Sequence, residues 1–303
     1  MKNIPVTIPC ILIALLALFG LVYSCVADEF SIYAENDILE KTDQNYTHGT
    51  EFKYQNDAGW GLKLVQTLYS PRNLESDQPV YNDRPYSCWI HLDSFEYVPD
   101  GNWTTYYALS LGTVGPAALG EEVQTFVHEH IAKSSTIPMG WKYQIQNEPT
   151  LNGAITEYYN LKLMDDWVQY RPSAGANAGN AMDDVDVDNT LFFGYNIPAV
   201  FEPMIKLSAR QGELAQKTWA LYGFAGCGGK FVARNILLDG NTFAPSRDAV
   251  TVIHEPFVGD YYFGVGTKIF DLTLAVTHIE RTKEFTTQAF SERLDGIQIG
   301  CSW

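Results

Sequence analysis

Hydrophobic and polar residues alternate with a period of two along much of this chain. The stretch DGIQIGCSW sets Ile297, Ile299, Cys301 and Trp303 on one face and Gln298, Gly300 and Ser302 on the other. WTTYYALSL does the same with Trp103, Thr105, Tyr107, Leu109 and Leu111 against Thr104, Tyr106, Ala108 and Ser110. In DVDVDNTLFFGY, Val185, Val187, Leu191, Phe193 and Tyr195 oppose Asp184, Asp186, Asp188 and Gly194. DLTLAVTHIERT aligns Leu272, Leu274, Val276, His278 and Glu280, so its apolar face ends in charge. Period two is the mark of a strand with one apolar face. Further strands are expected near residues 28–36, 47–56, 61–69, 86–97, 141–147, 151–163, 164–172, 217–226, 229–238 and 260–270. An amphipathic last strand with a terminal aromatic residue suits a closed outer-membrane barrel, where no sheet edge is left in lipid.

One segment departs from this pattern. GPAALGEEVQTFVHEHIAK carries Val123, Phe126, Val127 and Ile131 at helical spacing, with Pro116 near its start. Glu121 and Glu122 precede the stripe and Lys133 lies toward its end, as the helix dipole favours. Glu129 and Lys133 form an i, i+4 pair, and Gln124 and His128 share one face by the same spacing. A lone amphipathic helix in a β chain either lies on a surface or brings polar groups to a site.

The first 27 residues read as a secretory signal peptide: Lys2, an apolar run, then Cys25-Val26-Ala27. The run is broken by Pro9 and is short against the roughly 20 residues of a spanning helix. Residues 28–303 then form one domain with three cysteines, Cys88, Cys227 and Cys301, too few for a disulfide framework. No later run is long and apolar enough for a helical span. The chain is 14% aromatic, which suits aromatic girdles and equally a large soluble β-sandwich. Its formal net charge of −16 argues against nucleic acid as a partner. Asp184, Asp186 and Asp188 suggest a calcium loop, but Asn189 and Tyr195 stand where an EF-hand needs Gly and Glu. They read instead as acids on the wet face of a strand.

The stretches ENDILEKTDQNYTHG, DRPYSCW, SLGTVGPAALGEEVQTFVHEHI, GWKYQIQNEPTLN, NILLDGNTF, VGDYYFGVG and ERTKEFTTQ, in that order, resemble the outer-membrane lipid A 3′-O-deacylases. The resemblance covers nearly all of residues 28–303. It implies an all-β fold: a 12-stranded antiparallel transmembrane β-barrel in the outer membrane of a Gram-negative bacterium, with a short amphipathic helix near the active site. It also implies calcium-dependent removal of the 3′-linked acyloxyacyl group, with lipid A or lipopolysaccharide as substrate among the outer-membrane lipids. The matching positions are Asn36 and Asp37, Thr47 of the Tyr-Thr-x-Gly motif, and Gln124 and His128, with Arg84 of DRPY as the basic group.

Chemistry gives these residues roles. His128 is the expected base for a water that attacks the ester, because an imidazole titrates near neutrality. Gln124, one turn away, can orient the water or the substrate. No Gly-x-Ser-x-Gly elbow supports an acyl-enzyme. Asp37, Asn36 and Thr47 offer the hard oxygens that calcium prefers. Adjacent residues on a strand point to opposite faces, so Asn36 and Asp37 can serve one site only where the strand ends or bulges. Arg84 is expected at a lipid phosphate or the oxyanion. His48, His91, His130, His254 and His278 are expected to be structural, and Glu51 and Lys53 to line the lumen. Without the resemblance, Asn36-Asp37 reads as turn chemistry and His128 as a solvated helix residue. The competing functions are a phospholipase-type esterase and a non-catalytic pore or adhesin. A closed barrel needs no partner chain, so a monomer is expected.

Overall fold

The computed structural model describes residues 28–37, 44–130, 135–164, 167–198, 218–243 and 250–303. The expected signal peptide, Ile131 and Lys133 lie outside the described residues.

The alternating segments become thirteen strands: β1 (Glu29–Asn36), β2 (Asn45–Gln55), β3 (Trp60–Ser70), β4 (Ser87–Asp100), β5 (Trp103–Val114), β6 (Glu148–Tyr159), β7 (Leu161–Met164), β8 (Val168–Gly179), β9 (Met182–Tyr195), β10 (Trp219–Asn235), β11 (Phe257–Ile269), β12 (Leu272–Arg281) and β13 (Glu292–Ser302). β6 and β7 follow one another and both pair with β8, so together they fill one position of the wall. All neighbours are antiparallel; β1 pairs with β13, and β6–β8 pairing closes the ring. The result is a closed 12-strand antiparallel barrel.

Alternation divides the wall into two faces. Leu111, Val187, Leu221, Val265 and Ile297 are exposed on the outside, where lipid stands. The inside is packed rather than open. Lys53 and Lys63 lie among Phe95, Tyr97 and Tyr106, with the Lys63 ammonium 5.5 Å from the Tyr106 ring centre and 3.5 Å from Asp93. Glu51 and Lys53 are buried inside, as expected. Asp184, Asp186 and Asp188 also point inward and are buried; Tyr262 donates its hydroxyl to Asp188. A lumen cavity of about 90 Å³ is bordered by Tyr46, His91 and Asp260.

Two expected elements differ. Residues 141–147 are not a strand: Trp141–Tyr143 form a 3-10 turn, and Trp141 is buried against Tyr86. The expected strands at 217–226 and 229–238 fuse into β10, whose glycines do not interrupt pairing. The reason is steric: a Cβ on Gly228 would lie 2.3 Å from the Asp188 carboxylate. β10 stops at Asn235, whose side chain accepts from the Leu237 amide and starts a single helical turn, Ile236–Asp239.

Four long connections, 71–86, 115–147, 236–256 and 282–291, leave one end of the barrel and one, 196–218, leaves the other, so the end with most of them is read as the extracellular end. An ionic network closes that end from within. Arg281 Nε donates to Asp260 at 2.7 Å, and Arg84 Nη1 lies 3.4 Å from Glu284 and 3.9 Å from Glu292. The Arg84 guanidinium also stacks 4.0 Å from the Tyr69 ring centre. Burial alone would push the Glu284 carboxyl up, but the Arg281 and Arg84 charges outweigh it and hold the carboxyl below its usual range.

Candidate active site

Part of the connection between β5 and β6, at Ala118 and Trp141, packs on the outside of the wall, while its Ile145 joins the interior cluster with Tyr46 and Trp89. Leu68 of β3 and Cys88 of β4 have outward parity, yet both are buried, in a cluster with Leu74, Tyr86, Ala118 and Trp141. Gln66 donates to the Ala118 carbonyl at 2.6 Å, and the Cys88 thiol to the same oxygen at 3.3 Å. The helix expected from periodicity follows: α1, Gly120–His130. Its buried residues are Gly120, Gln124 and His128, one stripe at i, i+4, i+8. Gly120 makes close docking feasible, since a Cβ there would stand 2.6 Å from both the Cys88 Cβ and the Trp141 ring.

The stripe fixes two polar groups. Trp141 Nε1 donates to Gln124 Oε1 at 2.9 Å. His128 Nδ1 lies 2.7 Å from the Thr136 carbonyl oxygen. A carbonyl only accepts, so Nδ1 carries a proton, and in the neutral ring Nε2 carries the lone pair. That is the tautomer a general base needs.

The other half of the site lies on the same outer face. β1 ends at Asn36, and the chain bends at Asp37, so the irregularity expected at this step is a strand end. Asp37 is buried and its Oδ2 accepts from the Gln44 amide at 3.1 Å. β2 supplies a second irregularity. Pairing with β3 passes from Tyr46↔Tyr69 to His48↔Leu68, which leaves Thr47 as the extra residue of a β-bulge. The bulge turns Thr47 toward outward-parity Ser70, and the two hydroxyls meet at 2.5 Å. Asn36, His48, Leu68 and Cys88 then stand opposite one another in succession across β1–β4. Three strand spacings, roughly 14 Å, separate Asn36 from the foot of the helix at Cys88.

Arg84 goes elsewhere. It is 1% exposed and engaged with Glu284 and Glu292, which puts it in the internal ionic network and not at the lipid surface. Two neighbours of the site were not singled out by sequence reasoning. Ser70 anchors Thr47, and Trp141 anchors Gln124. Neither sits in a motif with a chemical signature, so only the fold identifies them. His48, expected to be structural, lies beside Asn36: its Nδ1 is 3.5 Å from Asn36 Nδ2 and its Nε2 is 2.5 Å from Thr50 Oγ1. This contact directs the amide nitrogen of Asn36 toward the ring and its oxygen away from it. Cys88, Cys227 and Cys301 are free. Among the described residues no three His, Cys, Asp or Glu side chains gather as a metal cluster, so any metal here would depend on amide, hydroxyl or backbone oxygens as well.

A closed antiparallel barrel with an apolar outside, a filled inside and most of its long loops at one end defines an outer-membrane β-barrel protein. A family model described as outer membrane protein LpxR matches residues 11–303. The chain belongs to that family, is located in the outer membrane, and is an enzyme that modifies lipid A. Among solved structures it is similar to LpxR from Salmonella typhimurium, with TM-score 0.79 and 21% identity over 90% of this chain and 99% of that one. The β domain of the Bordetella autotransporter BrkA follows at TM-score 0.42 and 10% identity, covering 91% of this chain and 98% of that one. The NanC porin gives TM-score 0.43 and 7% identity, over 90% and 98%. No curated protein matches.

Proposed function

We propose that this enzyme hydrolyses the ester that links the 3′-acyloxyacyl group to lipid A, by direct attack of water. The observation that carries the reading is the His128 tautomer. Its Nδ1–H is committed to the Thr136 carbonyl, so Nε2 can take a proton from water on the outer face of the wall, where acyl esters lie. Gln124 is held by Trp141 on the same stripe and orients the water or the ester. As Nε2 takes the proton, the hydroxide oxygen bonds to the ester carbon. The tetrahedral intermediate then expels the sugar oxygen, which recovers the proton from the imidazolium, and the fatty acid leaves.

Calcium fits the chemistry of the donors: the Asp37 carboxylate, the Asn36 amide oxygen and the Thr47 hydroxyl are all hard oxygens. The strand end and the bulge turn Asn36 and Thr47 to one face. These three residues would hold the ion. When bound there, it would supply positive charge for the oxygen of the reacting carbonyl. The packed lumen argues against the pore alternative, since Lys53, Lys63, Phe95 and Tyr106 fill it.

The test is mass spectrometry of lipid A after incubation with the purified protein and calcium, with phospholipid present as a competing substrate. Loss of the 3′-linked acyloxyacyl group alone is expected, and a chelator should stop it. Cleaved phospholipid with intact lipid A would replace this reading with the phospholipase one. Activity insensitive to chelation would remove calcium from it.

A further inference from the structure

The bulge at Thr47 needs a cause. In a regular strand Tyr46 and His48 would share a face. Here Tyr46 faces inward beside Tyr69 and His48 faces outward beside Leu68, with Thr47 as the extra residue. A bulge breaks the ladder locally, and a backbone donor left open in a buried place is costly. β1 does not take the Tyr46 amide, because β1 ends at Asn36 and its last pair with β2 is Asn36↔His48. Glu292 takes it instead. This residue opens β13, which lies on the far side of β1 in the wall. Its Oε1 accepts from the Tyr46 amide at 3.2 Å, and both residues are buried. Arg84 Nη1 stands 3.9 Å from the same oxygen, while its guanidinium lies over Tyr69, the partner of Tyr46 in the last pair before the bulge. The Tyr46 and Tyr69 rings meet edge to face, with centres 5.1 Å apart. A cavity of about 340 Å³ bordered by Asp37, Glu292 and Arg293 sets this crossing beside the site.

We propose that Glu292 is a positioning residue for the deacylation: its carboxylate takes the Tyr46 amide where β1 has ended, and so holds the bulge that turns Thr47 to the outer face. The inference rests on the reading of Thr47 as a site residue, and it deepens that reading by naming the side chain that sets its direction. Glu292 acts through the β2 backbone and touches neither the ester nor the water. The clamp needs an acceptor at the reach of a glutamate. Charge is secondary, because a neutral amide oxygen also accepts from a backbone N–H. Arg84 and Tyr69 steady the acceptor and the β3 side of the bulge, which gives Arg84 an indirect part in shaping the site.

The test separates reach from charge in the full-length protein in detergent. Glu292→Asp keeps the charge and withdraws the carboxylate by one methylene. Glu292→Gln keeps the reach and removes the charge. Three quantities are read: amide hydrogen exchange of residues 45–48 by mass spectrometry, calorimetric titration with calcium alone, and kcat and KM on lipid A. In Glu292→Asp, exchange should quicken and calcium affinity fall, each about tenfold, the loss of a charge-assisted hydrogen bond. Its kcat should drop on the order of 10²-fold, as for a 1 Å misplacement, with KM little changed. Glu292→Gln should keep all three within about threefold of wild type, since its amide oxygen still accepts. Glu284→Gln alters the same ionic network without meeting Tyr46, and should leave exchange at 45–48 unchanged. Wild-type exchange in Glu292→Asp, a larger loss in Glu292→Gln than in Glu292→Asp, or a matching change in Glu284→Gln would overturn the assignment. Quickened exchange in Glu292→Asp with calcium affinity and kcat unchanged would uphold the clamp and break the reading of Thr47 as a site residue, on which the positioning role rests.

Discussion

The outer wall of β3 and β4 and the outer wall of β9 to β13 follow the same alternating rule. On β9 to β13 the outward residues Val187, Leu221, Val265, Val276 and Ile297 stand bare toward lipid. On β3 and β4 the outward residues Leu68 and Cys88 are fully buried beneath the β5–β6 connection. Parity alone does not distinguish these regions. A bare patch tolerates any apolar side chain, because lipid tails adapt to its shape. A covered patch must match its cover, and the match runs through Gly120, Trp141 and Ala118 to the stripe that holds Gln124 and His128. The barrel thus uses one part of its outer wall as a lipid boundary and another as the floor of the candidate site.

Four perturbations sharpen this contrast. The largest effect is expected for His128→Ala, which should lower deacylation roughly 10²- to 10⁴-fold, the usual worth of a general base. The folded barrel should remain, as read by its heat-dependent gel mobility. Full activity in that variant would unseat His128 as base.

Gly120→Val comes next. Its Cβ would meet Cys88 and Trp141 at 2.6 Å, so the helix must lift from the wall. A shift of about 1 Å at a site costs on the order of 10²-fold in rate. Val187→Leu, an enlargement on the bare face, should leave kcat and stability within about 0.5 kcal/mol of wild type. Comparable losses in both variants would erase the distinction between the two walls.

A smaller effect is expected for Trp141→Phe, which keeps most of the packing and deletes the donor to Gln124. One such bond is worth about 0.5–1.5 kcal/mol, so kcat should fall severalfold with KM little changed.

The smallest concerns pH. The folded Glu284 carboxyl sits below its ordinary value of 4.5, so its stabilising contribution is fully present above that value. It is lost as pH falls through the lower folded value. Urea unfolding of the wild-type barrel should weaken in that acidic window. Glu284→Gln should flatten this part of the profile, and an unchanged profile would mean that the ionic network does not govern acid stability.

Much of the fold was legible because a barrel wall writes itself locally. Each strand must present apolar atoms to lipid and a different face to the interior, and that requirement repeats every two residues. DVDVDNTLFFGY and DLTLAVTHIERT therefore located β9 and β12. The 141–147 segment misled for the converse reason. Its Trp141 packs as a cover on the outside of the wall, and a cover has no required period. The i, i+4 relation of Gln124 and His128 was readable within one helix, whereas the bulge at Thr47 depends on how β2 meets β3.

The sequence by itself determined the period of the wall, the existence of α1, and the residue types on its stripe, since each follows from interactions among near neighbours in the chain. Tertiary structure alone decided that the helix lies outside the barrel rather than in its lumen, and that Arg84 turns inward to Glu284 and Glu292. It also decided that Asp37 shares a cavity with Arg293. Those choices join residues far apart along the chain, and only closure of the ring, which sets β1 beside β13, brings them within reach of one another.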